Sequence, residues 1–369
     1  MYRWLVVMVS VFALALGGAA SSSGGGGPQH SPILITSDSQ FTAPGSSTGC
    51  ACVTAGDGVT TPYVIGPWAI TAPSKTTGEA VQVDNSGGGV TKSFVITGIS
   101  AGYQGVPYTE PFIQVSHVDG TAITNVSANN DGLGVELDYS SHVTLDNLNL
   151  NKMTGNSLFI NNSSFVTLSN SKLKATADGQ VPHNADGLYA LDSNNLTIGG
   201  GPACPKSRVC NTFDYDTGWG VYLENTSYVT IDHASANADD TGGYVLDNSS
   251  HVDLGNSTAE AEGPICITLN GQKTPTGYHT DLQGGLFLIN GSSNNAFHDD
   301  QFVAYIMGIG SGGNRGTDPI DDIGAYGNPC LNMFEPFTPR EADMGPNNSF
   351  NNVCYSSTDV VGLPPNPCK

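Results

Sequence analysis

Carboxylates gather at three places in the middle of the chain, each just ahead of a glycine-led apolar segment. They are Asp186 in NADGLY, Asp214 and Asp216 in FDYDTGWG, and Asp239 and Asp240 in NADDTGG. Paired carboxylates are the working parts of glycoside hydrolysis: one stays protonated for the leaving oxygen, the other acts ionised as base or nucleophile. On that reading Asp186, Asp216, Asp239 and Asp240 are the candidate catalytic residues. A plainer role competes with it. Asn129-Asn130-Asp131-Gly132 carries the same chemistry one repeat earlier, and Asp at a tight turn ordinarily bonds nearby backbone. Elimination from a uronate would need a base, and positive groups or calcium beside the sugar carboxylate. After Arg3 the arginines are Arg208, Arg315 and Arg340. The Asp corners offer oxygen ligands to Ca2+, yet no spacing matches a calcium loop, so no metal ligands and no cofactor are assigned.

Sugar binding is the other chemistry on offer. Aromatic rings dock the C–H faces of sugars, while Asp and Asn bond hydroxyls. Phe159, Tyr189, Tyr222 and Tyr228 are the candidate carbohydrate-binding residues. The competing role is structural, since aromatics also stack between neighbouring strands or sit beneath a covering segment.

What would position these residues is a repeat. GVELDYSSHVTL begins at Gly134, SLFINNSSFVTL at Ser157, GLYALDSNNLTI at Gly187, GVYLENTSYVTI at Gly220 and GYVLDNSSHVDL at Gly243. A degenerate copy, GLFLINGSSNNAF, begins at Gly285. The steps are 23, 30, 33 and 23 residues, a unit of 23 with insertions of 7 and 10. Each unit reads as an alternating strand, a polar Asn/Asp/Ser corner and a second alternating strand. Alternation turns Val135, Leu137, Val143 and Leu145 inward, and Glu136 and Thr144 outward. One coil cannot bury its apolar face alone, whereas stacked coils share a continuous interior and pair their strands. Asn, Asp and Ser suit the corners because they bond local backbone and tolerate left-handed dihedrals. An antiparallel sandwich does not require the same corner at a recurring interval. The fold class that follows is all-β, a single-stranded right-handed parallel β-helix, or solenoid, with capped ends.

Aligned on the Val-Thr-Leu segment, Glu136, Phe159, Tyr189, Tyr222, Val245 and Phe287 form one outward column. His142, Phe165, Asn195, Tyr228 and His251 form another. His142 and His251 follow Ser at equivalent positions, which reads as repeat inheritance rather than catalysis.

The ends of the chain set its compartment and boundaries. Arg3, the apolar run Leu5 to Leu16 and the small residues Gly17 to Ala20 have the pattern of a secretory signal. Residues 1–20 are therefore the signal peptide and 21–31 a flexible Ser/Gly linker. The β-helix with its N-terminal cap spans 32–308, and 309–369 form a Cys-containing C-terminal coil and cap. No later apolar stretch is long enough to span a bilayer, so the mature chain is expected outside the membrane, secreted or at the cell surface. Without the signal, 33 acids face 11 bases, a balance that excludes nucleic acid and anionic membranes as partners. Eight cysteines in an exported chain imply disulfides. Cys204 and Cys210 would close a short loop, while Cys50 and Cys52, one residue apart, are expected to pair with other partners. Asn-x-Ser/Thr sequons occur at Asn125, Asn162, Asn195, Asn225, Asn256 and Asn290.

The G-x-x-x-(D/N)-x-S-x-x-V-T-(L/I) coils carry a family resemblance. With them go ILITSDSQF and GDGVTTPYVIGPWAI, which hold Tyr63 and Trp68, and the closing NNSFNNVC from Asn347. Together they resemble the right-handed parallel β-helix superfamily, in particular its NosD-like group of carbohydrate-binding and sugar-hydrolase-type repeats. That resemblance implies the solenoid and a polysaccharide or surface-glycan partner. The copper delivery associated with part of the group is not implied, because no His/Met/Cys cluster suits copper. NADG and the Asp239-Asp240 pair also resemble polygalacturonases, which would match Asp186, Asp239 and Asp240. The chain lacks that family's Gly-His-Gly and Arg-x-Lys motifs. The expectation is a glycan-binding β-helix, with a polysaccharide-degrading enzyme using the corner Asp residues, or a structural adhesin, as alternatives.

Overall fold

The computed structural model describes residues 27–41, 50–71, 79–101, 110–129, 132–175, 185–199, 209–214, 216, 218–237, 242–262, 266–269, 272–275, 284–304, 307–311 and 347–355. Among them regular structure is strand apart from one short 3-10 turn, Asp38–Gln40.

One wall of the solenoid is a ten-stranded sheet running from Ile33–Ile35 through Leu133–Asp138 and Trp219–Glu224 to Met307–Ser311. Each inner strand pairs in parallel with its equivalents in the coils on either side, and the two edge strands with one neighbour each. A larger sheet forms the remaining walls, with long strands such as Asp119–Asn129 and Ser141–Met153 paired in parallel. Val135 faces Leu158, Leu158 faces Leu188, Leu188 faces Val221 and Val221 faces Tyr244, the 23, 30, 33 and 23-residue steps expected from the repeat.

Alternation explains the stacking. Leu137, Ile160, Ala190, Leu223, Leu246 and Leu288 form one interior column, and each is at most 1% exposed. Burying one such leucine contributes about 1.5–3 kcal/mol, and the column repeats that gain coil after coil.

The corner between the two sheets has its own repeated chemistry. A strand ends in a left-handed residue, a buried Ser or Thr follows, and a second left-handed residue starts the next strand. The buried hydroxyls run as an interior ladder. Ser140 N–H donates to Ser163 Oγ (3.0 Å), Ser163 N–H to Ser193 Oγ (3.0 Å), and Ser249 N–H to Ser292 Oγ (3.0 Å). Each hydroxyl in turn donates to a nearby carbonyl, as Ser193 does to Leu191 (2.7 Å). Corner backbone that no sheet satisfies is thereby satisfied inside. The larger sheet bends at a second left-handed column, where Asn147 Nδ2 donates to Asn125 Oδ1 one coil away (2.8 Å).

Two expectations change. Gln29–His30, assigned to the linker, form a strand parallel to Trp68–Ile70, and the His30 ring packs on Trp68 at 4.9 Å. Cys50 and Cys52 are bonded to each other, their Cα atoms 5.1 Å apart. Parallel stacking continues past residue 308. Ser349–Asn351 and Cys354–Tyr355 add in register to Ala296–His298 and Gln301–Ala304, so NNSFNNVC is a coil of the helix. Cys210 is disulfide-bonded, while Cys204 and the expected signal peptide lie outside the described residues.

Candidate functional site

The second left-handed column of the main corner holds His142 (φ 52°), Phe165 (54°), Asn195 (54°), Tyr228 (57°), His251 (57°) and Asn294 (58°). Asn takes this conformation easily because its short side chain bonds local backbone. Bulky rings do not, and each costs on the order of 1–2 kcal/mol there. The rings are nevertheless exposed, Phe165 by 51% and Tyr228 by 59%. They stack in pairs at the coil repeat. His142 lies on Phe165 with centroids 4.8 Å apart and planes 1° apart, and Tyr228 lies on His251 at 4.8 Å and 21°. Asp119 anchors the first pair, its Oδ1 2.7 Å from His142 Nδ1 and 2.6 Å from Ser141 Oγ. Those hydrogen bonds, from Ser141 first and then His142, hold the Asp119 carboxyl below its ordinary range. The product is an exposed aromatic–imidazole ridge along the solenoid axis.

On the ten-stranded sheet the outward column has the register expected. Glu136 faces Phe159, Phe159 faces Tyr189, Tyr189 faces Tyr222, and Val245 and Phe287 continue it. The rings stack, Phe159 on Tyr189 at 5.2 Å and Tyr189 on Tyr222 at 4.9 Å. Exposure differs sharply along this column. Tyr222 (3%), Val245 (0%) and Phe287 (2%) join Trp219 and Ile289 in a closed apolar cluster, with Tyr189 packed at its edge. Tyr222 also donates its Oη to the buried Asp247 (2.9 Å). Tyr222 therefore presents no face to a sugar, and the docking role expected of it is withdrawn. Phe159 and Tyr189 are half-buried, and Tyr189 donates to Glu224 Oε2 (2.6 Å).

At the column's other end lies a group not singled out for chemistry from the sequence. Glu136 accepts from Gln114 Nε2 (3.2 Å), and Gln114 in turn accepts from Gln82 (2.7 Å). Burial first, and then hydrogen bonding to Asp138, push the Glu136 carboxyl up to about 7. Its signal in the sequence is an acid in line with two glutamines and two aromatics.

The Asp corners are interior. Asp186 is 2% exposed, and its Oδ1 accepts the Trp219 N–H (2.7 Å). Asp216 is fully buried and accepts the Ala175 N–H. Glycines make the room: a Cβ on Gly187 would meet Asp216 Oδ2 at 2.5 Å, and one on Gly218 would meet Asp186 Oδ1 at 2.2 Å. Burial, opposed by the Ala175 bond and reinforced by the Asp186 and Asp214 charges, pushes the Asp216 carboxyl well up. Both groups cap interior backbone and stand out of reach of a polymer. Asp239 and Asp240 lie outside the described residues. Among the described residues no group of three or more His, Cys, Asp or Glu side chains is placed to hold a metal ion. Nor is any described helix long and apolar enough to cross a membrane.

The family model for the right handed beta helix region matches residues 111–316. That is more than half of the chain, and the chain belongs to this family. No curated protein matches the sequence. Among solved structures it is similar to tailspike protein 2 of an Escherichia coli O157:H7 bacteriophage, with 12% identity over 75% of this chain and a TM-score of 0.32. The chain spans 38% of that tailspike's length. A periplasmic alginate epimerase is similar over 81% of this chain and 79% of its own, at 12% identity and a TM-score of 0.43. The A-module of the mannuronan C-5 epimerase of Azotobacter vinelandii is similar over 81% and 90%, at 11% identity and 0.32.

Proposed function

We propose that the protein is exported and binds a polysaccharide or cell-surface glycan along the ridge that holds Phe165 and Tyr228. One observation carries this reading: bulky rings stand half-exposed at backbone positions that favour Asn. Pairwise stacking returns part of that cost, but exposed rings at these positions are not what stability alone would select, and the arrangement points to use of the rings. Aromatic faces and edges on an acid-rich surface suit the C–H faces and hydroxyls of a neutral polymer, while net charge −21 opposes an anionic one. The test is a glycan array with the native chain and the double variant Phe165→Asn/Tyr228→Asn, both produced without N-glycosylation because each substitution creates an Asn-Val-Thr sequon. Asn restores the residue preferred at these corners, so the variant is expected to fold, and its glycan signal is expected to fall at least ~10-fold. Native-level binding by the folded variant sinks the proposal.

Glu136 favours a second reading, as a glycan hydrolase. A carboxyl that keeps its proton near neutrality is what a general acid needs, and Phe159 and Tyr189 follow it along the sheet. Reducing-end release from a polysaccharide panel that is lost in Glu136→Gln would support it; no release by the native chain would dismiss it. The substitution has a second expected effect. Because the folded carboxyl is raised, the stability it contributes is full below about pH 4.5 and is lost as pH rises to about 7. Glu136→Gln should flatten that part of the stability profile, as thermal unfolding at pH 4.5 and 7.5 would show.

A further inference from the structure

The stacked pairs of the ridge are separated by one coil. Ser164 pairs with Asn194 and Asn194 with Ser227, so Phe165, Asn195 and Tyr228 are consecutive steps of one column. His142 covers one face of Phe165 and His251 covers one face of Tyr228. In both pairs the rings lie nearly parallel at the coil spacing, so their planes run across the solenoid axis. The remaining faces of Phe165 and Tyr228 therefore look toward each other over Asn195. Among the described residues no ring stands between them, and both side chains are half-exposed.

From this arrangement we infer that the gap is a clamp for one neutral pyranose ring, which rests on the glycan-binding reading above. Two inter-strand steps set the faces roughly 9.5 Å apart. Carbon contacts of about 4 Å on each side occupy most of that width, and the pucker of a chair takes up the remainder. A flat aromatic or peptide plane would leave slack. Asn195 floors the gap: its Nδ2 donates to Asn194 Oδ1 (2.5 Å), which leaves its own Oδ1 to accept from a sugar hydroxyl. No Lys or Arg belongs to this column, and Asp119 sits beside the first pair, so a uronate carboxylate would find no partner here among the described residues. Asn195-Leu196-Thr197 is also a sequon. The same pyranose chemistry can thus arrive on a separate polysaccharide or as the first sugar of a glycan carried on Asn195.

The experiment measures binding of cello-, xylo- and galacto-oligosaccharides, with oligogalacturonate as the charged comparison. It uses the native chain, Thr197→Ala, Phe165→Asn, Tyr228→Asn and the gap-filling Asn195→Phe, with Val59→Ser as surface control. The clamp predicts that at least one neutral oligosaccharide binds, and that each ring variant weakens it about 10-fold, the effect of ~1.4 kcal/mol. Asn195→Phe should abolish binding while the chain stays folded, as thermal unfolding would show, because completing the ring stack offsets part of the cost of a ring at this left-handed position. Preserved or improved binding by Asn195→Phe overturns the clamp but leaves a ridge that binds glycans. If the native chain and Thr197→Ala bind no oligosaccharide, mass analysis decides. A sugar on Asn195 of the native chain, shielding Tyr228 until Thr197→Ala removes it, assigns the gap to the chain's own glycan. No sugar and no binding overturn both the clamp and the reading beneath it.

Discussion

Asp300→Asn is expected to unfold at a higher temperature than the native chain at pH 8 and at the same temperature at pH 4. The reason is a set of side chains, at two different corners of the coil, that hold backbone from one coil to the next. Asn211 accepts the Ser171 N–H (3.0 Å) and donates to the Leu168 carbonyl (3.2 Å). Asn295 accepts from Val252 (2.9 Å) and donates to Ser249 (3.3 Å), and Asn348 accepts from Asn295 (3.0 Å) and donates to Ser292 (2.9 Å). In each case the carbonyl lies three residues before the N–H. Asp300 makes the first bond, accepting from Ser257 (2.9 Å), and its Oδ2 has no partner among the described residues. Extended to Asp300, the pattern would set that oxygen toward the Leu254 carbonyl. A carboxylate repels it, whereas a protonated acid donates to it. Burial, the largest cause, pushes the Asp300 carboxyl up to about 8.

The sign follows from proton counting. The folded state keeps a proton that the unfolded chain releases near pH 4, so stability falls as pH rises from about 4 to about 8. The loss is up to about 5 kcal/mol, a large share of a typical margin of roughly 5–15 kcal/mol. Asn supplies the donor at every pH. Calorimetry of both proteins from pH 4 to 9 checks this. Parallel profiles for the two would show that Asp300 is not the group that titrates.

Gly134→Ala is expected to destabilise the chain by about 3 kcal/mol, toward the upper end for an overpacked site. A Cβ there would lie 1.9 Å from the Ser157 carbonyl oxygen and 2.9 Å from Leu150 Cδ1. That carbonyl accepts the Val135 N–H at 3.0 Å, so relieving the clash parts two coils where they are bonded. Each coil rests on its neighbours, and the break is not made good elsewhere. Gly87→Ala is the control, since nothing lies within 4 Å of its added Cβ and its φ is not in the left-handed region. It should shift stability by less than about 0.5 kcal/mol. Urea unfolding of both variants separates them; equal midpoints would show that the Gly134 contact relaxes freely.

The coil register was legible because alternation and corner chemistry recur together. Glu136, Phe159, Tyr189 and Tyr222 line up as the alignment requires. Which outward column stays open was not legible. Tyr222 and Tyr228 look alike in the repeat, yet one is 3% exposed and the other 59%. What covers an outward residue comes from outside the repeat. The Asp residues misled for a related reason. Asp186 and Asp216 read as corner residues, either catalytic or bonded to turn backbone, whereas Gly187 and Gly218 leave interior pockets that the carboxyls fill. A glycine directly after an Asp, or two residues after it, was the available sign. Cys50 and Cys52 pair across a single intervening residue, a bond that spacing alone argued against.

The most direct test of the ridge is a nuclear magnetic resonance titration with the neutral oligosaccharide that binds most strongly, following assigned ring protons. The account predicts shifts at Tyr228 and Phe165, with Tyr222 unmoved because it is buried. Shifts confined to Phe159 and Tyr189, with Tyr228 and Phe165 unchanged, would place the glycan on the other sheet and contradict it.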